Sequence, residues 1–441
     1  MSFLSTISIH TRTRPNSNLG FCACYKPSGS PRGISCLIRR SVRQWSPCRP
    51  GRSIATRSRL HLPSRPVKME SFLHIYHAKR GLLLFEYANN SASRPSINPQ
   101  NQPPNVLLFI GGLYDTFRSP GYVDDLAALF PRNAPNQKWR LMHVQLSSAG
   151  RAFGMFDLNR DVEEIGFAIN YIRETITRSP TTPIVIMGHS TGCQDVLHYL
   201  CSSVSRPTIS GAIMQAPVSD REAILDEIEA KPKAKESYQT VLSIAASTPL
   251  DKHTTTFLPT HISTPLMGPA PVSIARFLSL ASPDSPANPA LDDYFSSDLS
   301  DQRLLDTFGR IGSAEFLQPL QPRAQKSVLV LESGSDAAVP AYINKDQLLA
   351  RWKHAIESGS SGKASSSSHS MVVPNAVHDI GGTSIEARTA RLIDMRGAVL
   401  RYLEDMVGNV GDDGDPSSAW AIWHHDKKEI EAEKGINGVK L

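Results

Sequence analysis

At 441 residues the chain is long enough for one large domain with an insertion, or for two ordinary domains, and it can bury a substantial core. Its formal charge of +6 is unevenly placed: residues 1–69 hold eleven Arg and two Lys but no Asp or Glu, leaving 34 basic against 41 acidic residues beyond them, about −7. That balance excludes a basic nucleic-acid-binding body, and no segment has the apolar length needed to span a membrane.

Residues 1–69 are rich in Ser, Arg and Pro and lack a continuous apolar run, so they read as a disordered or targeting extension rather than a secretory signal. An Arg-rich, acid-free start fits a mitochondrial transit peptide, and Met69 offers the start of a shorter product. The six cysteines, Cys22, Cys24, Cys36, Cys48, Cys193 and Cys201, lack metal-ligand spacing with histidines. Cys193 and Cys201 fall two turns apart on one predicted helix, too far for a disulfide. A reducing, cytoplasmic setting is therefore expected, with the mitochondrion as the alternative.

From Phe72 apolar segments alternate with helical ones, and the body is read as residues 70–408. Leu73–Tyr76 and Leu82–Tyr87 form an opening hairpin, and after a polar loop Val106–Ile110 is a short buried strand ending in Gly111 and Gly112. Tyr122–Phe130 is a helix and Arg140–Leu146 the next strand. Asp157–Arg173 is an amphipathic helix, because Leu158, Val162, Ile165, Ile169 and Ile172 recur at spacings of four, three, four and three. Pro183–Met187 is a β-branched strand running into Gly188-His189-Ser190-Thr191-Gly192. A second apolar helical face follows, through Val196, Leu197, Leu200, Cys201 and Val204.

Ile209–Gln215 gives a further strand. The alternation then breaks down between about residues 217 and 322 into helical pieces and Pro-rich loops, the composition of an inserted cap. Sheet-like sequence resumes at Ser327–Glu332 and, after a Ser-rich loop in which Ser365–Ser368 reads as a solvated linker, at Ser370–Val373. A helix over Ile385–Met406 closes the body. Residues 409–441 form a polar tail whose Trp420 and Trp423 could dock on it or leave it loosely ordered.

A serine hydroxyl attacks only when a base removes its proton and donors support the charge developing on the substrate oxygen. The strand-turn-helix context of Gly188–Gly192 supplies a nucleophile elbow with Ser190 at its tip, where only small flanking residues are tolerated. The oxyanion donors expected are the N–H of Thr191 and one from the loop after Ile110, that of Leu113 or, second, of Gly112. The acid belongs in a loop after a late strand, where Asp336 is preferred over Glu332 and Asp346. The base belongs before the last helix, where His378 is preferred over His369, His424, His425, His189 and His198. The order Ser190, Asp336, His378 is that of an α/β-hydrolase fold: a mostly parallel sheet, helices on both faces and an inserted cap. Cys193 reads as a packing residue and Asp195 as a carboxylate complementing a helix N-terminus. No phosphate loop or metal cluster appears in the sequence, so no cofactor is expected.

The run Ile186-Met187-Gly188-His189-Ser190-Thr191-Gly192-Cys193-Gln194-Asp195-Val196-Leu197-His198-Tyr199-Leu200, together with Phe109-Ile110-Gly111-Gly112-Leu113, resembles a family of mainly fungal α/β-hydrolases. The resemblance covers roughly Phe72 to Val407, and the family includes an intracellular esterase of the hydroxamate siderophore fusarinine C. It implies a serine esterase acting on a small ester substrate, a ferric or iron-free siderophore. A general carboxylesterase or lipase and a non-catalytic scaffold on the same fold are the alternatives.

Overall fold

Along β3 (Asn105–Ile110), Val106, Leu108 and Ile110 face one apolar core while Leu107 and Phe109 face another. The same division runs through β5 (Ile184–His189), β6 (Gly211–Gln215) and β7 (Lys326–Ser333). Strands covered on both faces must be apolar on both, which is why these segments read as unbroken β-branched and aliphatic runs.

The computed structural model describes residues 70–88, 105–131, 137–321, 324–359, 363–381, 385–408, 410–411, 414–416 and 418–437. The expected extension, residues 1–69, lies outside them. The hairpin forms from β1 (Glu70–His77) and β2 (Leu82–Ala88), turning at Gly81 with a left-handed φ of +67°. Strand β2 runs antiparallel to β4 (Trp139–Val144), and the sheet continues in parallel through β3, β5, β6 and β7. At the far edge β8 (Ala364–Ser366) pairs with the start of β7 and β9 (Met371–Val373) with its end. Strand β8 corrects the sequence reading of this stretch. Ser365 and Ser366 are strand residues, and the Ser367 N–H donates to the Val328 carbonyl at 2.8 Å, because a parallel ladder is made by backbone groups whatever the side chains.

One face is covered by α2 (Leu158–Tyr171), α3 (Gly192–Cys201) and α9 (Lys345–Gly359), the other by α1 (Tyr122–Ala127), α10 (Ile385–Val407) and α11 (Ala419–Asn437). Asp157 caps α2 by accepting the Arg160 N–H at 3.0 Å, and the helix runs on past Tyr171 as a π-turn. Between β6 and β7 the chain builds α4 (Asp220–Ala230), α5 (Pro232–Ser247), α6 (Thr260–Met267), α7 (Ile274–Ala281) and α8 (Asp301–Thr307). Helices α4 to α7 share a core that includes Ile224, Val241, Val272, Phe277 and Leu280, and Phe153 from the loop after β4 is buried in it. Among the described residues no helix is long and apolar enough to cross a membrane.

The C-terminal tail docks through tryptophan. The Trp423 indole N–H donates to the Ile393 carbonyl at 2.9 Å, and a Cβ on Gly397 would lie 2.8 Å from its ring, so a glycine inside α10 makes room for it. Replacing Trp423 by Ala deletes this buried ring and is expected to lower unfolding free energy by about 3 kcal/mol, read as a lower urea midpoint.

Candidate active site

Strand β5 delivers the chain into a turn whose backbone conformation non-glycine residues rarely adopt. Ser190 sits at φ +55°, the left-handed region, and α3 begins two residues later. A Cβ on Gly188 would lie 2.2 Å from the Gly192 carbonyl oxygen, and one on Gly192 would lie 2.6 Å from that of Ile110 and 2.7 Å from that of Gly111. Both glycines are therefore demanded by backbone packed against backbone. Two hydrogen bonds hold the turn: Ser190 N–H to the Gln215 carbonyl at 3.0 Å, and Cys193 N–H to the Ser190 carbonyl at 2.9 Å.

The loop after β3 passes directly over the serine. A Cβ on Gly112 would fall 2.7 Å from Ser190 Cβ and 3.2 Å from its Oγ. The Gly112 N–H, the secondary oxyanion candidate, donates to Asp115 Oδ2 at 2.8 Å and is thus already engaged within the loop. The N–H groups of Leu113 and Thr191 meet no acceptor among the described residues. Asp115 was missed from sequence. It also accepts the Ser119 hydroxyl, and its carbonyl accepts the Gly150 N–H at 2.9 Å, so it anchors the whole loop.

The remaining two groups arrive from the far side of the sheet. Asp336 follows β7 and His378 follows β9, and the loops that carry them are tied by Ser335 N–H to the Ala376 carbonyl at 2.7 Å and Gly334 N–H to the Val373 carbonyl at 3.0 Å. The Ser190 hydroxyl donates to His378 Nε2 at 2.7 Å, and His378 Nδ1–H donates to Asp336 Oδ2 at 2.7 Å. The other carboxylate oxygen accepts the Ala338 N–H at 2.8 Å, so Asp336 is oriented from both sides. The Asp336 carboxylate is buried, while about a third of the His378 side chain faces solvent.

Burial alone pushes the His378 imidazole down. The hydrogen bond and charge of Asp336, assisted by Asp115 and Asp379, outweigh it and hold the group above its ordinary value of 6.5. The neighbouring His189, its ring centroid 4.9 Å away, goes the other way: burial first, then the charge of His378, push it down to about 4. His189 Nδ1–H donates to Gln215 Oε1 at 2.6 Å, and the same oxygen accepts the Tyr122 hydroxyl at 2.8 Å. This second histidine is thus a buried neutral group behind the first.

The other sequence candidates lie elsewhere. Glu332 is buried on β7 with neither oxygen partnered among the described residues, and burial followed by the charge of Asp336 pushes its carboxyl well above the usual range. Asp346 is on α9, His369 pairs with Asp405 of α10 at 3.0 Å, and His424 and His425 are on α11. His198 is held between Asn159 and Tyr294. The Cys193 thiol donates to the carbonyls of Gly188 and Gln215, a packing role with a polar component. Asp195 lies in the first turn of α3, buried near Asp161 and Arg276.

Residues 65–403 match a family described as a protein of unknown function (DUF1749). The chain is 37% identical over 365 residues to the fusarinine C esterase sidJ of Aspergillus fumigatus, covering 76% of this chain and 96% of that protein. It is 34% identical over 364 residues to the esterase AN6793 of Emericella nidulans, covering 74% and 93%. The solved structure of siderophore hydrolase EstB from Aspergillus fumigatus superposes with a TM-score of 0.63 at 33% identity, over 78% of this chain and 99% of that one. The fold is that of an α/β-hydrolase, and the chain belongs to the DUF1749 family.

Proposed function

We propose that this protein is a serine esterase that hydrolyses the ester bonds of a hydroxamate siderophore such as fusarinine C, with Ser190, His378 and Asp336 as its catalytic groups. One observation carries the chemistry: a serine in the left-handed conformation joined through an imidazole to a buried carboxylate by two 2.7 Å hydrogen bonds. The relatives named as a fusarinine C esterase and a siderophore hydrolase support the substrate class. Helices α4 to α8 serve as the cap. The free, buried thiols of Cys193 and Cys201 favour a reducing compartment, and we assign the activity to the cytoplasm.

In this mechanism His378 Nε2 takes the Ser190 proton as Oγ bonds to the ester carbonyl carbon. Asp336 keeps the imidazole in the tautomer that can accept it and stabilises the imidazolium. The N–H groups of Leu113 and Thr191 bind the oxyanion. Collapse of the tetrahedral species breaks the ester C–O bond, and the alcohol leaves with the proton held by His378. Water, activated by the same imidazole, then releases the acyl group and restores the serine.

Incubating the purified protein with fusarinine C and following products by mass spectrometry is expected to show open-chain forms. Ser190→Ala is expected to abolish both this turnover and labelling by a fluorophosphonate. Hydrolysis of simple p-nitrophenyl esters without turnover of fusarinine C would replace the siderophore reading by the general esterase one.

The base must be neutral to act, so kcat/KM for an uncharged ester falls as pH is lowered through the His378 pKa. Because Asp336 raises that pKa, the midpoint is expected above pH 6.5. Asp336→Asn is expected to move it down and to reduce kcat by about 10,000-fold, read from pH–rate profiles of the two proteins.

Gly112→Ala tests the approach of the loop to the nucleophile. The added methyl would meet Ser190 Cβ at 2.7 Å and the His189 carbonyl oxygen at 2.9 Å, so the loop must shift. A displacement of that size is expected to lower kcat by about 100-fold and, because backbone has to give way, to lower the thermal midpoint as well.

A further inference from the structure

The inserted helices also grip the loop that carries the oxyanion donor. Tyr114 follows Leu113 directly, and its backbone is at φ +66°, a conformation that an aromatic residue rarely adopts unless the surroundings impose it. Two contacts impose it. The Tyr114 hydroxyl donates to the carbonyl of Met267, the last residue of α6, at 2.6 Å, although 153 residues separate the two. Its ring meets Phe153 edge-on, with centroids 5.0 Å apart, and Phe153 is buried in the core of the insertion.

The receiving side is shaped for this hydroxyl. The residue after Met267 is Gly268, at φ +70°, and a Cβ there would lie 2.4 Å from the tyrosine oxygen. The tyrosine itself remains 39% exposed, so burial does not account for its position; the hydrogen bond and the edge contact do. On the other side of Leu113, the Gly112 N–H is held by Asp115, whose own N–H returns to the Gly112 carbonyl at 3.1 Å. Leu113 therefore sits between an attachment to the body of the protein and an attachment to the insertion.

We propose that Tyr114 is a positioning residue: its hydroxyl, bound to the Met267 carbonyl, fixes the direction of the Leu113 N–H and so couples the placement of the inserted helices to the strength of the oxyanion hole. The proposal rests on the reading of Leu113 as an oxyanion donor. Released from Met267, Tyr114 can relax toward an ordinary backbone conformation, which turns the Leu113–Tyr114 peptide unit directly and, through the Leu113 torsions, the Gly112–Leu113 unit that carries the Leu113 N–H. An N–H aimed at an oxyanion matters chiefly after the carbonyl carbon becomes tetrahedral, so its misalignment is felt in kcat and hardly in KM.

Tyr114→Phe in the full chain removes the tether and keeps the ring against Phe153. With a short-chain p-nitrophenyl ester, kcat is expected to fall about tenfold while KM stays within about twofold. Inactivation by a fluorophosphonate, whose phosphoryl oxygen occupies the same hole, is expected to slow by a similar factor, and the pH midpoint set by His378 is expected to stay where it is. A kcat within about twofold of the parent protein, or a loss carried by KM alone, would overturn the proposal. The parent protein and Ser190→Ala are assayed alongside. Hydrolysis that depends on Ser190 with no effect of Tyr114→Phe rejects only the tether, whereas absence of Ser190-dependent hydrolysis rejects the esterase reading and the tether with it.

Discussion

The structure depends on one backbone constraint: a serine held in the left-handed conformation where β5 turns into α3. Holding a non-glycine residue there costs on the order of 1–3 kcal/mol, and it persists only when the surroundings over-determine it. Here they do. The Ser190 N–H is taken by the Gln215 carbonyl of β6, its carbonyl by the Cys193 N–H of α3, and the Cys193 thiol closes on the carbonyls of Gly188 and Gln215. The start of α3 is consequently pressed against the end of β3, so closely that Gly192 can carry no side chain beside the carbonyls of Ile110 and Gly111. That contact brings the Gly111–Gly112 loop onto the serine, and the site is assembled by it.

Electrostatics then separates two adjacent histidines. An imidazolium at His378 faces Asp336 directly, with Asp115 and Asp379 reinforcing the field. A second positive charge on His189, at a ring separation of 4.9 Å, would oppose it by about 3 kcal/mol at an effective dielectric constant near 20. Burial keeps His189 neutral, and the Gln215 oxygen, accepting from both His189 and Tyr122, fixes its tautomer. The residue next to Ser190 is thus a filler that carries no competing charge.

What was legible in the sequence was what is local. Gly188, Ser190 and Gly192 lie within five residues, and Asp336 and His378 each follow a strand whose apolar run is visible. That the Gly112 N–H is engaged depends on Asp115 three residues later, and a carboxylate at that spacing after a diglycine is a local signal of such a turn. Gln215 and Tyr114 gave no such signal, because their partners lie 26 and 153 residues away along the chain. The Ser-rich β8 was hidden for a different reason. Composition reports side chains, whereas the edge of a parallel sheet is held by main-chain groups.

The insertion is not a loose flap on this framework. Arg276 of α7 is fully buried: its guanidinium pairs with Asp292, its Nε–H reaches the Phe153 carbonyl at 3.0 Å, and it lies within electrostatic reach of Asp161 of α2 and Asp195 of α3. Burial, with the charge of acidic neighbours, holds Asp161 up to about 7 and Asp195 well above the carboxylate range, and Arg276 opposes both shifts. The cluster joins α2, α3 and α7 through groups that have no solvent to turn to. Helix α3, which begins two residues after Ser190, is therefore attached to the same insertion that Tyr114 contacts through Met267, and the turn at Ser190 and the Gly111–Gly112 loop are both tied to it.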